Sequence, residues 1–421
     1  MLNKKLTNLD FISRHRTAPS DFSRNRNFTF KSLALFIISS LQSSVQRELD
    51  RFFKTYNNQL LTEQYVSQSA FSQARLKIKP EAFVELQNDC ITHFYKNYDI
   101  KKWNGFRLIA IDGSEIILPK NEDTIHEFGE YITNFMKKTV VLARVSKAYD
   151  VLNKISIDAK LVNRKIGEHT LAKKHLDYCA KGDLILYDRG YPSYDVFMNA
   201  IEAGCHFCAR VAVSNWKVAK ELVSSTNKEV LAEILPGYEL RKKYKKQGIS
   251  VEPIKCRFIC VVLPTGEKEV LITSLIDDIR FPHSLFKELY HLRWDIEESY
   301  KKDKHRLQLE NFSGKTIIAI YQDFYANMLM GNLTSIFSVS LDAQIDKKTK
   351  RAKNKYQLNF TTAIAKVKDT IALLFTRPEI QELLHRLIQM FLSNILPIRQ
   401  GRQFVRIKQN RKRYYKTYLT L

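Results

Sequence analysis

The spacing of apolar residues changes near residue 105, and this change divides the chain. Before it, apolar residues recur at helical spacing in three segments, residues 31–41, 44–53 and 81–95, the last of which follows Pro80. After it come short continuous apolar runs, which are typical of strands buried on both faces. We therefore expect helices over residues 1–100 and a domain with a β-sheet after them.

The middle of the chain alternates between strand and helix patterns. The apolar runs FRLIAI, ending at Ile111, and DLILY, residues 183–187, predict two buried strands. Two further strands are predicted over residues 139–146 and 153–162, joined by a turn near Asp150. Helical patterns over residues 168–179 and 193–203 separate the later strands. Strands that first form a hairpin and then alternate with helices predict a mixed α/β sheet.

Residues 214–280 interrupt this alternation and predict a mostly β insertion. Two strand-like runs flank the turn Pro264-Thr265-Gly266, and the segment RKKYKKQG, residues 241–248, is typical of an exposed basic hairpin tip. Helical patterns resume at Pro282. The predicted divisions are a helical N-terminal DNA-binding region (1–100), the first part of the core (101–213), the β-rich insertion (214–280), the second part of the core (281–341) and a helical C-terminal region with a basic tail (342–421).

The charge of the chain indicates a polyanionic partner. Lys and Arg number 68 and Asp and Glu 44, which gives a formal net charge of +24, and the pI is about 9.6. An excess of this size favours nucleic acid as the partner. The apolar runs are shorter than the roughly 20 residues that cross a bilayer, and the N-terminus has no secretory pattern, so we expect a cytoplasmic protein without a membrane partner.

Five arginines lie among the predicted short helices of the N-terminal region. They are Arg14, Arg16, Arg24, Arg26 and Arg75. Short helices with basic side chains are typical of a small DNA-reading unit, in which Arg75 would contact DNA. An ordinary helical cap on a larger domain explains the same pattern. The residues alone leave both interpretations open.

Two aspartates directly follow similar apolar runs. Asp112 comes after FRLIAI, and Asp188 comes after DLILY. Ligands gather at the carboxyl ends of strands in open α/β sheets, so neighbouring strands would set the two carboxylates side by side. Mg²⁺ prefers such oxygen ligands. A single aspartate at a strand end is more often a turn residue or a helix cap, but the pair together indicates a metal site.

A third group of polar residues shares one predicted helical face. Tyr290, Arg293, Glu297 and Lys304 lie at offsets of 0, 3, 7 and 14. At about 100° per residue they fall within about 60° of arc on a helix. Glu297 would complete the metal site, and Arg293 and Lys304 would hold phosphates. A solvated charged stripe is the alternative explanation.

The combined pattern resembles a known family of enzymes. The tyrosine, arginine, glutamate and lysine spacing, together with IDGS around Asp112 and DRGY around Asp188, is similar to the signature of the IS-four family of bacterial insertion-sequence transposases. The resemblance extends from about residue 105 to residue 314 and includes the β insertion. It implies an RNase H-like catalytic core and cut-and-paste DNA transposition by a DDE triad, with a nucleoid-associated location.

The resemblance also implies a role for each matched position. Asp112, Asp188 and Glu297 would be the catalytic acids and would bind two Mg²⁺ ions, for which Mn²⁺ can substitute. Two such ions activate a water or 3′-hydroxyl and stabilise the leaving oxygen. Tyr290, Arg293 and Lys304 would grip the transposon-end strand. Trp216 would stabilise a flipped base, although a packing role is the favoured interpretation of this tryptophan.

The partners that the resemblance implies are double-stranded DNA and a second copy of the chain. The DNA would be the terminal inverted repeats of the element and its target, and residues 360–396 are the candidate for self-association in a synaptic homodimer. Two other functions remain open: a non-enzymatic or domesticated DNA-binding relative, and a structure-selective RNase H-like nuclease without a transfer step. The basic residues from Arg399 onwards indicate either phosphate contact or a solvated tail.

Overall fold

The computed structural model describes residues 1–24, 26–39, 43–132 and 139–399. These residues pack into two compact units. One, here called the helical unit, contains Met1–Asp99, Glu115–Ala143 and the described residues from Lys301 onwards. The other, here called the sheet unit, contains Ile100–Ser114 and Arg144–Tyr300. The predicted basic tail, apart from Arg399, lies outside the described residues.

The helices and strands follow one another in the order that the sequence pattern indicates. The N-terminal helices are α1 (Leu2–Leu6), α2 (Leu9–His15), α3 (Phe30–Ile38), α4 (Val45–Tyr56), α5 (Gln68–Arg75) and α6 (Glu81–Asn97). Next come β1 (Leu108–Leu118), α7 (Glu122–Phe128), β2 (Glu130–Ile132), β3 (Thr139–Asp150), β4 (Ile155–Asn163), α8 (Glu168–Leu176), β5 (Leu184–Tyr187), α9 (Tyr194–Glu202) and β6 (His206–Val211). The remainder holds α10 (Lys217–Ser224), β7 (Glu229–Ile234), α11 (Tyr238–Lys246), β8 (Ile254–Val262), β9 (Lys268–Thr273), α12 (Leu285–His291), α13 (Trp294–His305), α14 (Ile317–Lys348), β10 (Tyr356–Leu358), α15 (Phe360–Thr376), α16 (Ile380–Ser393) and β11 (Ile395–Pro397).

One mixed sheet organises the middle of the chain. Its strand order is β2-β3-β1-β5-β6-β9-β8-β7, and β4 pairs with β3. The pairs β1/β5 and β5/β6 are parallel, whereas β6/β9, β9/β8 and β8/β7 are antiparallel. This confirms the predicted RNase H-like α/β class with helical flanks, and the strands of the insertion extend the same sheet.

The register of β1 against β5 positions the first two candidate acids. Ile111 lies opposite Tyr187, and this is the last pair between the two parallel strands. Asp112 and Asp188 are the next residue on each strand. The prediction that Asp112 ends its strand is wrong, because β1 continues to Leu118. Pairing with β5 nevertheless stops at Ile111, so the two aspartates follow the paired segment as expected.

The insertion contains helices as well as strands. The predicted basic hairpin tip is instead the helix α11, and α10 precedes β7. Lysine, arginine, leucine and glutamate all have good helix propensity, and no turn residue interrupts them between Gly237 and Gly248. Gly248, with φ of +68°, follows the helix in the left-handed conformation that commonly ends helices.

The helical unit joins the first and last parts of the chain in one core. Buried side chains of α3, α4 and α6 belong to the same apolar cluster as those of α14, α15 and α16, for example Leu35, Phe53, Leu329, Ile364 and Phe391. The N-terminal and C-terminal regions predicted as separate divisions therefore pack together. Among the described residues, no helix combines the length and the apolar character that crossing a membrane requires.

Candidate active site

The three candidate acids all lie in the sheet unit, where one arginine connects them. Asp112 is on β1, Asp188 directly follows β5, and Glu297 is in the first turn of α13. Arg293 donates through Nη2 to Glu297 Oε1 at 2.7 Å. Its Nη1 lies 4.0 Å from Asp112 Oδ2, and its charge also acts on Asp188. A single guanidinium therefore lies among three carboxylates that are far apart in the sequence.

The predicted single helix from Tyr290 to Lys304 is divided into two. α12 ends at His291, α13 begins at Trp294, and Arg293 lies in the turn between them. In this turn the N–H of Arg293 bonds to the carbonyl of Tyr290 at 3.1 Å, and the N–H of Ile296 bonds to the carbonyl of Arg293 at 3.1 Å. These bonds span three residues rather than four, so the chain turns more tightly than an α-helix. Even so, Tyr290, Arg293 and Glu297 come together around the aspartates.

The guanidinium of Arg293 is buried but not fully bonded. Arg293 is 2% exposed, and its Nε and Nη1 have no hydrogen-bond partner within the described part of the chain. Buried donors without acceptors are uncommon in folded proteins. A phosphate oxygen is the kind of acceptor that a guanidinium binds most strongly. This arrangement therefore suits a site that receives a phosphodiester.

The two aspartates have opposite pKa shifts. Burial raises the pKa of Asp112 to about 6, and the charges of Asp188 and Glu297 add to this, whereas the Gly113 N–H and Arg293 oppose it. Burial also disfavours the charged form of Asp188, but the Arg189 N–H, Arg293, Arg210 and the Tyr290 hydroxyl together hold its pKa below the usual value. Like charges at one place raise the free energy of the ionised acids, and a bound cation would lower it.

Asp188 is held by residues that include one predicted and two unpredicted members of the site. Arg210 Nη2 donates to Asp188 Oδ1 at 3.1 Å, and Arg210 Nη1 donates to Glu269 Oε1 at 2.6 Å. The Tyr290 hydroxyl donates to the same Asp188 oxygen at 3.3 Å. Tyr290 is 5% exposed, so its hydroxyl orients Asp188. For Arg210, the available signal was a lone basic residue in the otherwise apolar run of β6.

A buried network links the helix of Glu297 to the strand of Asp112. Lys147, on β3, donates to Ser299 Oγ at 2.7 Å, and its ammonium lies 4.5 Å from the ring centroid of Tyr300. The Tyr300 hydroxyl donates to the carbonyl of Asp112 at 2.7 Å. Ser299 and Tyr300 follow Glu297 by two and three residues. The network therefore fixes the distance between two of the candidate acids.

Removing the Tyr300 hydroxyl tests this positioning role. We expect Tyr300→Phe to slow DNA cleavage about tenfold, because one hydrogen bond of about 1 kcal/mol no longer holds the Asp112 backbone. Binding of the DNA should be unchanged. The measurement is the single-turnover cleavage rate at saturating protein. Tyr321→Phe, which removes a hydroxyl bonded to Glu127 in the helical unit, is the control. Equal rates for the two variants would contradict a positioning role.

Comparisons with known proteins agree with this arrangement. The model of a protein family described as Transposase DDE domain matches residues 103–333. The chain belongs to this family. It is also similar to the Transposase InsG for insertion sequence element IS4 of Escherichia coli (strain K12), with 23% identity over 359 residues, 84% of this chain and 79% of that protein. The predicted resemblance to the IS-four family is thus confirmed, and the chain is a DNA transposase.

A solved structure is similar over most of the chain. It is a cryo-EM structure of the piggyBac transposase synaptic complex with hairpin DNA. The TM-score is 0.44 at 11% sequence identity, and the match covers 95% of this chain and 86% of that chain.

Divalent metal ions are the general cofactor of this transposase family. Three carboxylates from two strands and one helix are chemically suited to such ions. Among the residues that the structure describes, however, no set of three or more His, Cys, Asp or Glu side chains is arranged to hold an ion. The candidate acids are instead gathered around the Arg293 guanidinium. Joint coordination of a metal therefore requires these side chains to rotate away from Arg293.

Arg75 does not have the position expected for a DNA contact. It is 3% exposed, and its guanidinium donates to Gln322 Oε1 at 2.9 Å, Ser313 Oγ at 2.6 Å and Asp323 Oδ1 at 2.7 Å. These partners lie on α14 and just before it, within the helical unit. Because every partner is internal, Arg75 holds α5 against α14, and the prediction that it contacts DNA is contradicted.

The last two predicted contact residues have separate local surroundings. Trp216 directly precedes α10, and its ring lies 5.9 Å from the ring of Phe258 on β8, at an angle of 57°. This agrees with the packing interpretation. Lys304 lies in the last turn of α13, and its Nζ donates to the carbonyl of Glu115 at 2.7 Å.

Proposed function

We propose that this transposase cleaves DNA at the ends of its element and joins the ends to target DNA by a cut-and-paste reaction. Asp112, Asp188 and Glu297 are the proposed catalytic acids and the ligands of two Mg²⁺ ions, for which Mn²⁺ can substitute. The observation that carries the proposal is the register of β1 and β5. It sets Asp112 and Asp188 side by side, and Arg293 brings Glu297 to the same place.

The side chains around the acids have distinct proposed tasks. When bound, the ions supply an activated oxygen nucleophile and stabilise the leaving oxygen. Arg293 offers Nε and Nη1, its donors without partners, to phosphate oxygens. Tyr290 and Arg210 orient the Asp188 carboxylate, and Tyr300 holds the backbone at Asp112. These residues fix the acids before the substrate arrives, which lowers the reorganisation needed in the transition state.

The proposed partners are the terminal inverted repeats of the element, the target DNA and a second copy of the chain. Lys304 remains a proposed phosphate contact at the end strand. The ends of an element must be held together before they can be moved as a unit. A synaptic homodimer is the simplest symmetric assembly that does so.

The reaction is tested with the full chain and a labelled duplex that carries the inverted repeat flanking its gene. We expect Mg²⁺ to support cleavage at the repeat and, with a target plasmid, to yield joined strands. Removal of the ion by EDTA should abolish both products, because no nucleophile is activated, while binding to the repeat persists. Gel analysis of the strands measures each outcome.

Two results would redirect the proposal. Binding to the repeat without cleavage under Mg²⁺ or Mn²⁺ would identify a DNA-binding relative without enzymatic activity. Cleavage without joined strands would identify a nuclease that lacks the transfer step.

A further inference from the structure

The helix α11 presents an exposed group of cationic side chains. Lys242, Lys243, Lys245 and Lys246, here called the α11 basic face, are all exposed. Within the described part of the chain, none of their ammonium groups has a hydrogen-bond or ion-pair partner. The one acidic residue of the helix, Glu239, lies in its first turn. The face thus concentrates four positive charges without compensating carboxylates.

This helix is anchored to the body of the sheet unit. The Tyr244 hydroxyl donates to Asp195 on α9, and the Tyr244 ring packs edge-on against that of Tyr194 at 6.3 Å. Tyr194 in turn donates to the carbonyl of Glu252, beyond the end of the helix, at 2.7 Å. Tyr244 is the residue among the lysines that faces the protein. The α11 basic face is therefore held at a fixed place on the unit that carries the candidate acids.

The arrangement is unfavourable for the isolated chain. Lys242 and Lys246 are four residues apart, and Lys243 and Lys246 are three apart, so like charges are neighbours on the helix surface. Such pairs cost a few tenths of a kcal/mol each without a counter-charge. A polyanion that runs along the helix removes this cost. An anionic membrane fits less well, because no residue of α11 is buried and the lysines are not opposed by a continuous apolar stripe.

We propose that the α11 basic face binds the phosphate backbone of double-stranded DNA without reading its sequence. Lysine ammonium groups act as point charges and lack the planar donor pair with which arginine recognises bases. Contacts of this kind position a duplex but do not select it. The inference rests on the proposed function only in taking DNA as the polyanion. It adds a second contact area, in the insertion, to the candidate active site.

The test is the salt dependence of duplex binding by the full chain. The variant carries Lys242→Gln, Lys243→Gln, Lys245→Gln and Lys246→Gln together, and the probe is a random-sequence duplex followed by fluorescence anisotropy. Each phosphate contact contributes about 0.9 to the slope of log affinity against log salt, so we expect the slope to fall by about 3 and the affinity at low salt by at least about tenfold.

The control removes the same charge from other exposed places of the sheet unit. It carries Lys173→Gln and Lys174→Gln on α8 and Lys217→Gln and Lys220→Gln on α10, all exposed positions. We expect its slope to remain close to that of the original chain. The thermal midpoints of both variants should match it as well, because none of the eight side chains is buried.

The outcomes separate this inference from the proposed function. If the α11 variant keeps the original slope and affinity while the chain still cleaves its inverted repeat, only the inference fails. Equal losses in both variants would also overturn it, since net charge alone would then explain the effect. Loss of binding to phosphatidylserine vesicles with unchanged duplex binding would assign the face to lipid instead. If the original chain binds no duplex, both the inference and the proposed function fail.

Discussion

Asp112→Asn, Asp188→Asn and Glu297→Gln are each expected to slow cleavage at the inverted repeat by at least about a thousandfold, because losing one ligand removes several kcal/mol of stabilisation from the reacting oxygens, and each 1.36 kcal/mol is tenfold in rate. Binding to the repeat should persist, since the amides keep the shape of the site. The measurement is the single-turnover rate in Mg²⁺, with a binding assay on the same duplex.

A neighbouring acid provides the matched control for these variants. Asp295 lies two residues before Glu297 on α13 and pairs with Lys154, away from the guanidinium of Arg293. Asp295→Asn should therefore cleave at close to the original rate. If any of the three variants also does so, that residue does not belong to the catalytic trio.

Arg293→Met is expected to lower the free energy of unfolding of the sheet unit by about 3 kcal/mol near neutral pH. The substitution leaves buried carboxylates without their cation, and breaking a buried ion pair typically costs this much. The loss should shrink below about pH 6. Asp112, whose folded pKa is raised to about 6, becomes neutral there and no longer needs the guanidinium. Urea unfolding at two pH values measures both effects.

The chain offers a specific probe and a control for this measurement. Its three tryptophans, Trp103, Trp216 and Trp294, all lie in the sheet unit, so tryptophan fluorescence reports the unfolding of that unit. Arg386→Met removes an exposed arginine that pairs with Glu382 on α16, and exposed pairs contribute less than about 1 kcal/mol. Equal stabilities of the Arg293 and Arg386 variants at neutral pH would show that Arg293 does not stabilise the acids.

Local pattern was sufficient to predict the central strands and the acids that follow them. The apolar runs before Asp112 and Asp188 are continuous because both faces of β1 and β5 are covered, and that signal is contained in a few neighbouring residues. Strand order then follows from the short parallel connections. The mixed α/β class and the adjacency of the two aspartates were therefore accessible from the sequence.

Features that depend on distant partners were not accessible. Arg75 has the composition of a DNA contact, and only Gln322 and Asp323, far along the chain, show that its guanidinium is internal. The role of Arg210 likewise depends on the pairing of β5 with β6 and of β6 with β9. The turn at Arg293 interrupts a pattern that is helical on both sides, and the apolar period carries no sign of it.

The apolar core shared by the first and last helices affects how the chain matures during synthesis. α3 and α6 pack against α14, and α4 packs against α15. The earliest helices to leave the ribosome therefore keep their apolar faces unburied until nearly the whole polypeptide has emerged. A product that ends prematurely would lack this partner surface. It would be a substrate for proteolysis and aggregation, not a small functional fragment.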